Sequence, residues 1–177
     1  LGLSFLPKLF TDSFGLTRPV PHPDTVGISK SMLKNKRIRL DASQFGNETA
    51  GIPLEQQITM AKNALTAMSL KDNFAKFILI TGHGSSTVNN PHATGLDCGA
   101  CGGHTGESNA RVAAAVFNNQ KVREGLVQHN IHIPADTVFL TCLHDTTTDE
   151  IHIYNAYEVP SNQIVEFTAL KKSLADA

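Results

Sequence analysis

Apolar positions along the chain are irregular at first and become strongly periodic only after residue 53. Leu3, Leu6 and Phe10 fall at helical spacing, with Phe5 and Leu9 beside them, which predicts a short helix within residues 1–14. Arg18-Pro-Val-Pro-His-Pro-Asp24 then holds the backbone extended or in turns, because proline fixes φ and removes a donor. Residues 29–40 lack a clear period and residues 41–51 are polar. Residues 1–48 are therefore expected to be an irregular, partly helical amino-terminal arm, and residues 49–177 an α/β domain.

From Pro53 the pattern tightens. Leu54, Ile58, Ala61, Leu65 and Met68 predict an amphipathic helix, with Pro53 and Glu55 suited to its first turn. Residues 74–80 read as a buried strand that runs into a turn at Gly82-His83-Gly84. A helix over 107–118 follows, with Val112, Ala113, Val116 and Phe117 on its inner face, and a second over 121–128 with Val122 and Leu126 inward. Residues 137–143 and 150–154 read as strands joined by the polar connection 144–149. Ser161 is placed to cap a last helix whose inner positions are Ile164, Phe167, Leu170 and Leu174. Helices alternating with buried strands predict an α/β sheet, in which ligands bind at the carboxyl ends of the strands.

Composition narrows the field. A length of 177 residues with 41% hydrophobic content suits one domain with a real core. The formal net charge of −1 gives no bulk reason to expect nucleic acid as a partner. Five of the fifteen Lys and Arg residues do cluster between Lys30 and Arg39, a solvated face or a contact for phosphate or an acidic partner. Three cysteines, an odd number, fit reduced thiols in a cytosolic compartment better than a disulfide framework. No apolar run approaches the roughly 18 residues of a membrane span. The apolar start at Leu1 reads as part of something longer.

Candidate chemistry concentrates between residues 83 and 104. His83 sits between glycines, and Cys98, Cys101 and His104 follow on backbone rich in glycine. Three readings stand at this point. All four side chains form a closed tetrahedral zinc site; or Cys98-Gly-Ala-Cys101 is a redox dithiol ahead of a helix; or the cysteines are small residues packed in a turn. Arg111, early in the helix after this loop, is a candidate anchor for an anion or carboxylate, and Asp145 lies in a loop that either binds an ion or simply turns.

The strings Thr81-Gly-His-Gly-Ser-Ser-Thr-Val-Asn-Asn-Pro-His92, Leu96-Asp-Cys-Gly-Ala-Cys-Gly-Gly103, Gly106, Asn109-Ala-Arg111 and Leu143-His-Asp-Thr-Thr-Thr-Asp-Glu150 resemble the DabA family over most of residues 50–177. That family is the large zinc-binding subunit of a bacterial two-subunit system for accumulating inorganic carbon. The resemblance implies a β-carbonic-anhydrase-like sheet flanked by helices, a Zn2+ cofactor, and conversion of CO2 to bicarbonate by water made acidic on zinc. It implies a membrane-embedded proton- or cation-conducting partner subunit, and a cytoplasmic location, peripheral on the inner face of the bacterial cell membrane. It assigns the metal to His83 and Cys98, with Cys101 and His104 as neighbours. Apart from the resemblance, Cys101 and His104 stand as alternative metal ligands, and Arg111, Asp97 and Asp145 as candidates to orient the ligands. Fourteen residues separate His83 from Cys98, far more than in ordinary β-carbonic anhydrases. The family's other ligands come from a Cys-x-Asp-x-Arg motif, which these 177 residues lack. The chain is therefore expected to carry half a zinc site and not to hydrate CO2 by itself.

Overall fold

The computed structural model describes residues 2–14, 16, 27–29, 31–32, 37–45, 48–87, 90 and 92–177; the proline-rich stretch 18–24 lies outside them. A 3-10 turn, Gly2–Phe5, leads into helix α1 (Leu6–Ser13), in agreement with the periodicity there. Its Leu6, Leu9 and Phe10 are exposed. Strands β1 (Ser43–Phe45) and β2 (Glu48–Ala50) form an antiparallel hairpin in a stretch whose polarity gave no strand signal. Beyond it the Ile52 amide donates to the Leu40 carbonyl at 2.8 Å, and Leu40 packs on the core.

Helix α2 (Leu54–Ala67) buries Gln57, Ala61 and Leu65, while Leu54 and Met68 are exposed, contrary to the expected inner face. The buried stripe runs at steps of four through a glutamine. Gln57 is tolerated there because its amide donates to the Ile52 carbonyl at 2.7 Å and accepts from Asn119 Nδ2 at 2.9 Å.

Strand β3 (Phe77–Gly84) is followed by the short helix α3 (Ala93–Leu96), then α4 (Glu107–Asn118) and α5 (Gln120–Leu126), and the chain returns as β4 (Val138–Asp145), parallel to β3. Strand β5 (Ile151–Ile153) pairs antiparallel with β4, giving the order β3-β4-β5, and helix α6 (Ile164–Ala175) closes the fold. Period-2 alternation sends the strand residues to two cores. Phe139 joins Ala61, Leu65, Ala114, Phe117, Val122 and Leu126 beneath α2, α4 and α5; Val138, Leu140 and Cys142 meet Val159 and Phe167 on the other face. Phe77 and Phe167 stack at 5.8 Å, tying α6 to the sheet. The fold is thus mixed α/β, a three-stranded sheet between helices. Ser161 opens a 3-10 turn without capping α6, and Ile164 is exposed where an inner position was expected.

Because β5 is three residues long, it leaves β4 backbone groups without a strand partner, and asparagines complete the ladder. Asn118 accepts from the Phe139 amide and donates to its carbonyl, both at 2.9 Å. Asn155 accepts from the Thr141 amide at 2.7 Å. These bonds fix the end of α4 against the sheet and hold β4 in place beside β3.

Candidate metal centre

β3 does not stop before its glycines, as the sequence pattern suggested, but carries Gly82, His83 and Gly84 in register with β4. His83 lies opposite His144, and Gly84 opposite Asp145. The glycines are required by what lies against them. A Cβ on Gly82 would stand 2.4 Å from the Gly106 carbonyl oxygen, and one on Gly84 would stand 2.8 Å from Thr105 Cγ2. With no side chains there, the segment ahead of α4 closes on the strand, and the Gly106 amide donates to the His83 carbonyl at 2.8 Å. The His83 side chain is exposed at the carboxyl end of the sheet.

A second tether brings the cysteines back to this end. Asp97 is buried, and its Oδ1 accepts from the Ser85 amide at 2.8 Å and from Ser85 Oγ at 3.1 Å. Cys98 follows directly, bridging through its amide to the His104 carbonyl at 3.1 Å. The Cys98 carbonyl accepts from the amides of Cys101 at 3.0 Å and Gly103 at 3.2 Å, a tight turn that Gly102 and Gly103 close at positive φ. The turn sets Cys101 Sγ 2.7 Å from Cys98 Sγ, with Asn109 Nδ2 donating to Cys101 Sγ at 3.3 Å. Both thiols are half-buried. Donation to Cys98 raises the pKa of Cys101, and burial contributes in the same direction.

The family model for the probable inorganic carbon transporter subunit DabA matches residues 1–177, the whole of the chain. The chain belongs to the DabA family. Curated DabA relatives bearing that probable-transporter-subunit description include proteins of Roseiflexus sp. (strain RS-1), 50% identical over 177 residues, and Chloroflexus aggregans, 49% identical over 177 residues. One from Bradyrhizobium sp. (strain BTAi1 / ATCC BAA-1182), described as "DabA 1", is 51% identical over 176 residues. The alignments cover 99% or more of this chain but 21% of each relative, so the chain spans about a fifth of their length. No solved structure matches.

In this member of the DabA family the sequence candidates do not all converge. Among the described residues, no three His, Cys, Asp or Glu side chains gather closely enough to hold a metal ion. A closed site of His83, Cys98, Cys101 and His104 is therefore not assembled. Arg111 is buried and already matched: its Nε lies 2.6 Å from Glu107 Oε1, and its guanidinium sits 4.2 Å over the Tyr154 ring. Burial, with the Glu107 charge behind it, pushes the Tyr154 phenol well above its ordinary range. Asp145 points into the 146–149 turn. Burial raises its pKa, but hydrogen bonds from Ser86, Thr147 and Thr148 outweigh that and leave it lowered.

Sequence reasoning missed His144 as a neighbour of His83. It occupies the same level of the sheet, half-exposed, with Nε2 3.1 Å from Asp149 Oδ1. Only the parallel register between strands far apart in sequence creates this pair, and no local pattern carries that information. Cys142, the third thiol, lies fully buried in the sheet, and burial lifts its pKa to about 11, so it is inert at neutral pH.

Proposed function

We propose that this chain supplies half of a zinc site to a subunit of an inorganic carbon transporter, in which CO2 is converted to bicarbonate at a β-carbonic-anhydrase-like centre. The observation that carries the reading is the pair of tethers at the end of β3. Gly106 bonded to His83, and Asp97 bonded to Ser85, draw the Cys98 turn back to the strand that bears His83. An imidazole and a thiolate are donors zinc favours, and two of them satisfy half its tetrahedral requirement.

In this account His83 and Cys98 hold the metal, and the remaining ligands come from residues outside these 177. Zinc bound there supplies a Lewis acid that makes water acidic near neutral pH. The chain's own part is positioning. Asp97 anchors the return of the loop, and Gly82 and Gly84 let His83 lie flush against residues 105–106. The domain 49–177 carries this half-site and residues 1–48 act as its arm. The partner is a membrane-embedded subunit that conducts protons or cations, with this chain on the cytoplasmic face. No helix among the described residues is long and apolar enough to cross a membrane.

The test is carbon uptake by cells that depend on the full-length protein. His83→Ala should abolish bicarbonate accumulation, by two orders of magnitude or to background, while His104→Ala should retain most of it. Undiminished uptake by His83→Ala would overturn the assignment.

A further inference from the structure

The half-site uses Cys98 and leaves Cys101 without a task, although the turn holds the two sulfur atoms 2.7 Å apart. We propose that Cys98 and Cys101 form a reversible dithiol–disulfide couple, a modification site for low-molecular-weight disulfides. The geometry is prepared for it. The Cys101 amide bonds to the Cys98 carbonyl at 3.0 Å, an i to i+3 turn of the kind that keeps Cα atoms within about 7 Å, inside the range a disulfide accepts. The sulfurs need close only from 2.7 Å to about 2.05 Å. Gly99 and Gly102 have no atom within 4 Å of an added Cβ, so the turn has open space at these two positions, while Thr94 packs against it at Gly103.

Access separates this pair from the third cysteine. Cys98 and Cys101 are both half-exposed, whereas Cys142 is fully enclosed between Leu140 and the α6 side of the sheet. Asn109 Nδ2, 3.3 Å from Cys101 Sγ, is a donor available to a developing thiolate.

The step balances with a small disulfide as oxidant. The Cys98 thiolate attacks one sulfur of the disulfide, breaking its S–S bond and expelling one small thiolate. The Cys101 thiolate then attacks Cys98 Sγ in the mixed disulfide, forming the Cys98–Cys101 bond and expelling the second. Two protein thiols are oxidised, and the small disulfide is reduced to two thiols. The consequence for metal binding rests on the function proposed above: oxidation withdraws Cys98 from the half-site, so zinc is held only in the reduced state.

The experiment treats the full-length protein, with zinc removed, in graded mixtures of reduced and oxidised glutathione, followed by alkylation and peptide mass mapping. The tryptic peptide ending at Arg111, which starts after Lys76, carries both thiols and no other cysteine. It should become two hydrogens lighter, lose alkylation at Cys98 and Cys101 together, and recover on reduction with dithiothreitol. Cys101→Ser should stop at a glutathione adduct on Cys98. A wild-type peptide that stays fully alkylatable, or accumulates the same adduct as Cys101→Ser, would overturn the couple. Zinc titrated back into portions of the same samples before alkylation separates the two claims. A disulfide that forms while zinc still binds in full keeps the couple and removes Cys98 from the metal site.

Discussion

Gly82 shows how a single residue sets the site. Its missing side chain is what lets the Gly106 carbonyl approach β3, since a Cβ would lie 2.4 Å from that oxygen, and both contacts are backbone that cannot swing aside. Gly82→Ala should destabilise the protein by about 1–3 kcal/mol through forced separation of the two segments. Chemical denaturation would register this as a lower midpoint with an unchanged slope, and an unshifted midpoint would mean the segments part freely. Asp97 works at the same scale. Asp97→Ala strips the Ser85 amide and hydroxyl of their acceptor and should cost about 1–3 kcal/mol. Hydrogen exchange at the Ser85 amide should accelerate at least tenfold, whereas unchanged protection would show that Asp97 is not its anchor.

Elements were legible wherever local periodicity coincided with burial. Helices α4 and α5 were readable because Val116, Phe117, Val122 and Leu126 mark their inner faces and are in fact buried. The pattern misled at Leu54 and Met68, the first residue and the C-cap of α2, which are exposed, and it overlooked Gln57, whose burial depends on hydrogen bonds to Ile52 and Asn119. The extension of β3 through Gly82–Gly84 was not readable either. Glycine is a poor strand former, and it is pairing with β4, more than fifty positions away, that keeps those residues extended. Helix α6 is held chiefly by Phe167, the buried residue of that helix. Phe167→Ala should cost about 3–5 kcal/mol and raise protease sensitivity at the carboxyl end first. Uniform sensitivity along the chain would indicate that α6 and the sheet unfold as one unit.

For the molecule as a whole, acid stability follows from Asp145 at the mouth of the sheet. Its folded-state pKa is depressed by hydrogen bonds from Ser86, Thr147 and Thr148 that outweigh burial. The stabilisation is therefore fully present above the ordinary aspartate value of about 3.9, and is lost as pH falls through the lower folded value. Asp145→Asn should be less stable at neutral pH and should lose less on acidification, a difference that urea denaturation between neutral and acid pH would reveal. Parallel curves for the two proteins would assign the acid limb elsewhere.

The site was only partly legible at this scale. His83 and Cys98 stand out as soft donors amid glycine, yet a string of residues does not say which of four candidates converge. Cys101 turned toward Cys98, Arg111 turned inward to Glu107, and His144 arrived beside His83 through register alone. The central claim is the division of labour between His83 with Cys98 on one hand and Cys101 on the other. Its most direct test is zinc content and affinity of the full-length protein, reduced throughout, beside its His83→Ala, Cys98→Ala and Cys101→Ala variants. One zinc per chain is expected in the parent and in Cys101→Ala, with loss of at least about a hundredfold in affinity for His83→Ala and Cys98→Ala. Equal loss in Cys101→Ala, or zinc retained without Cys98, would contradict it.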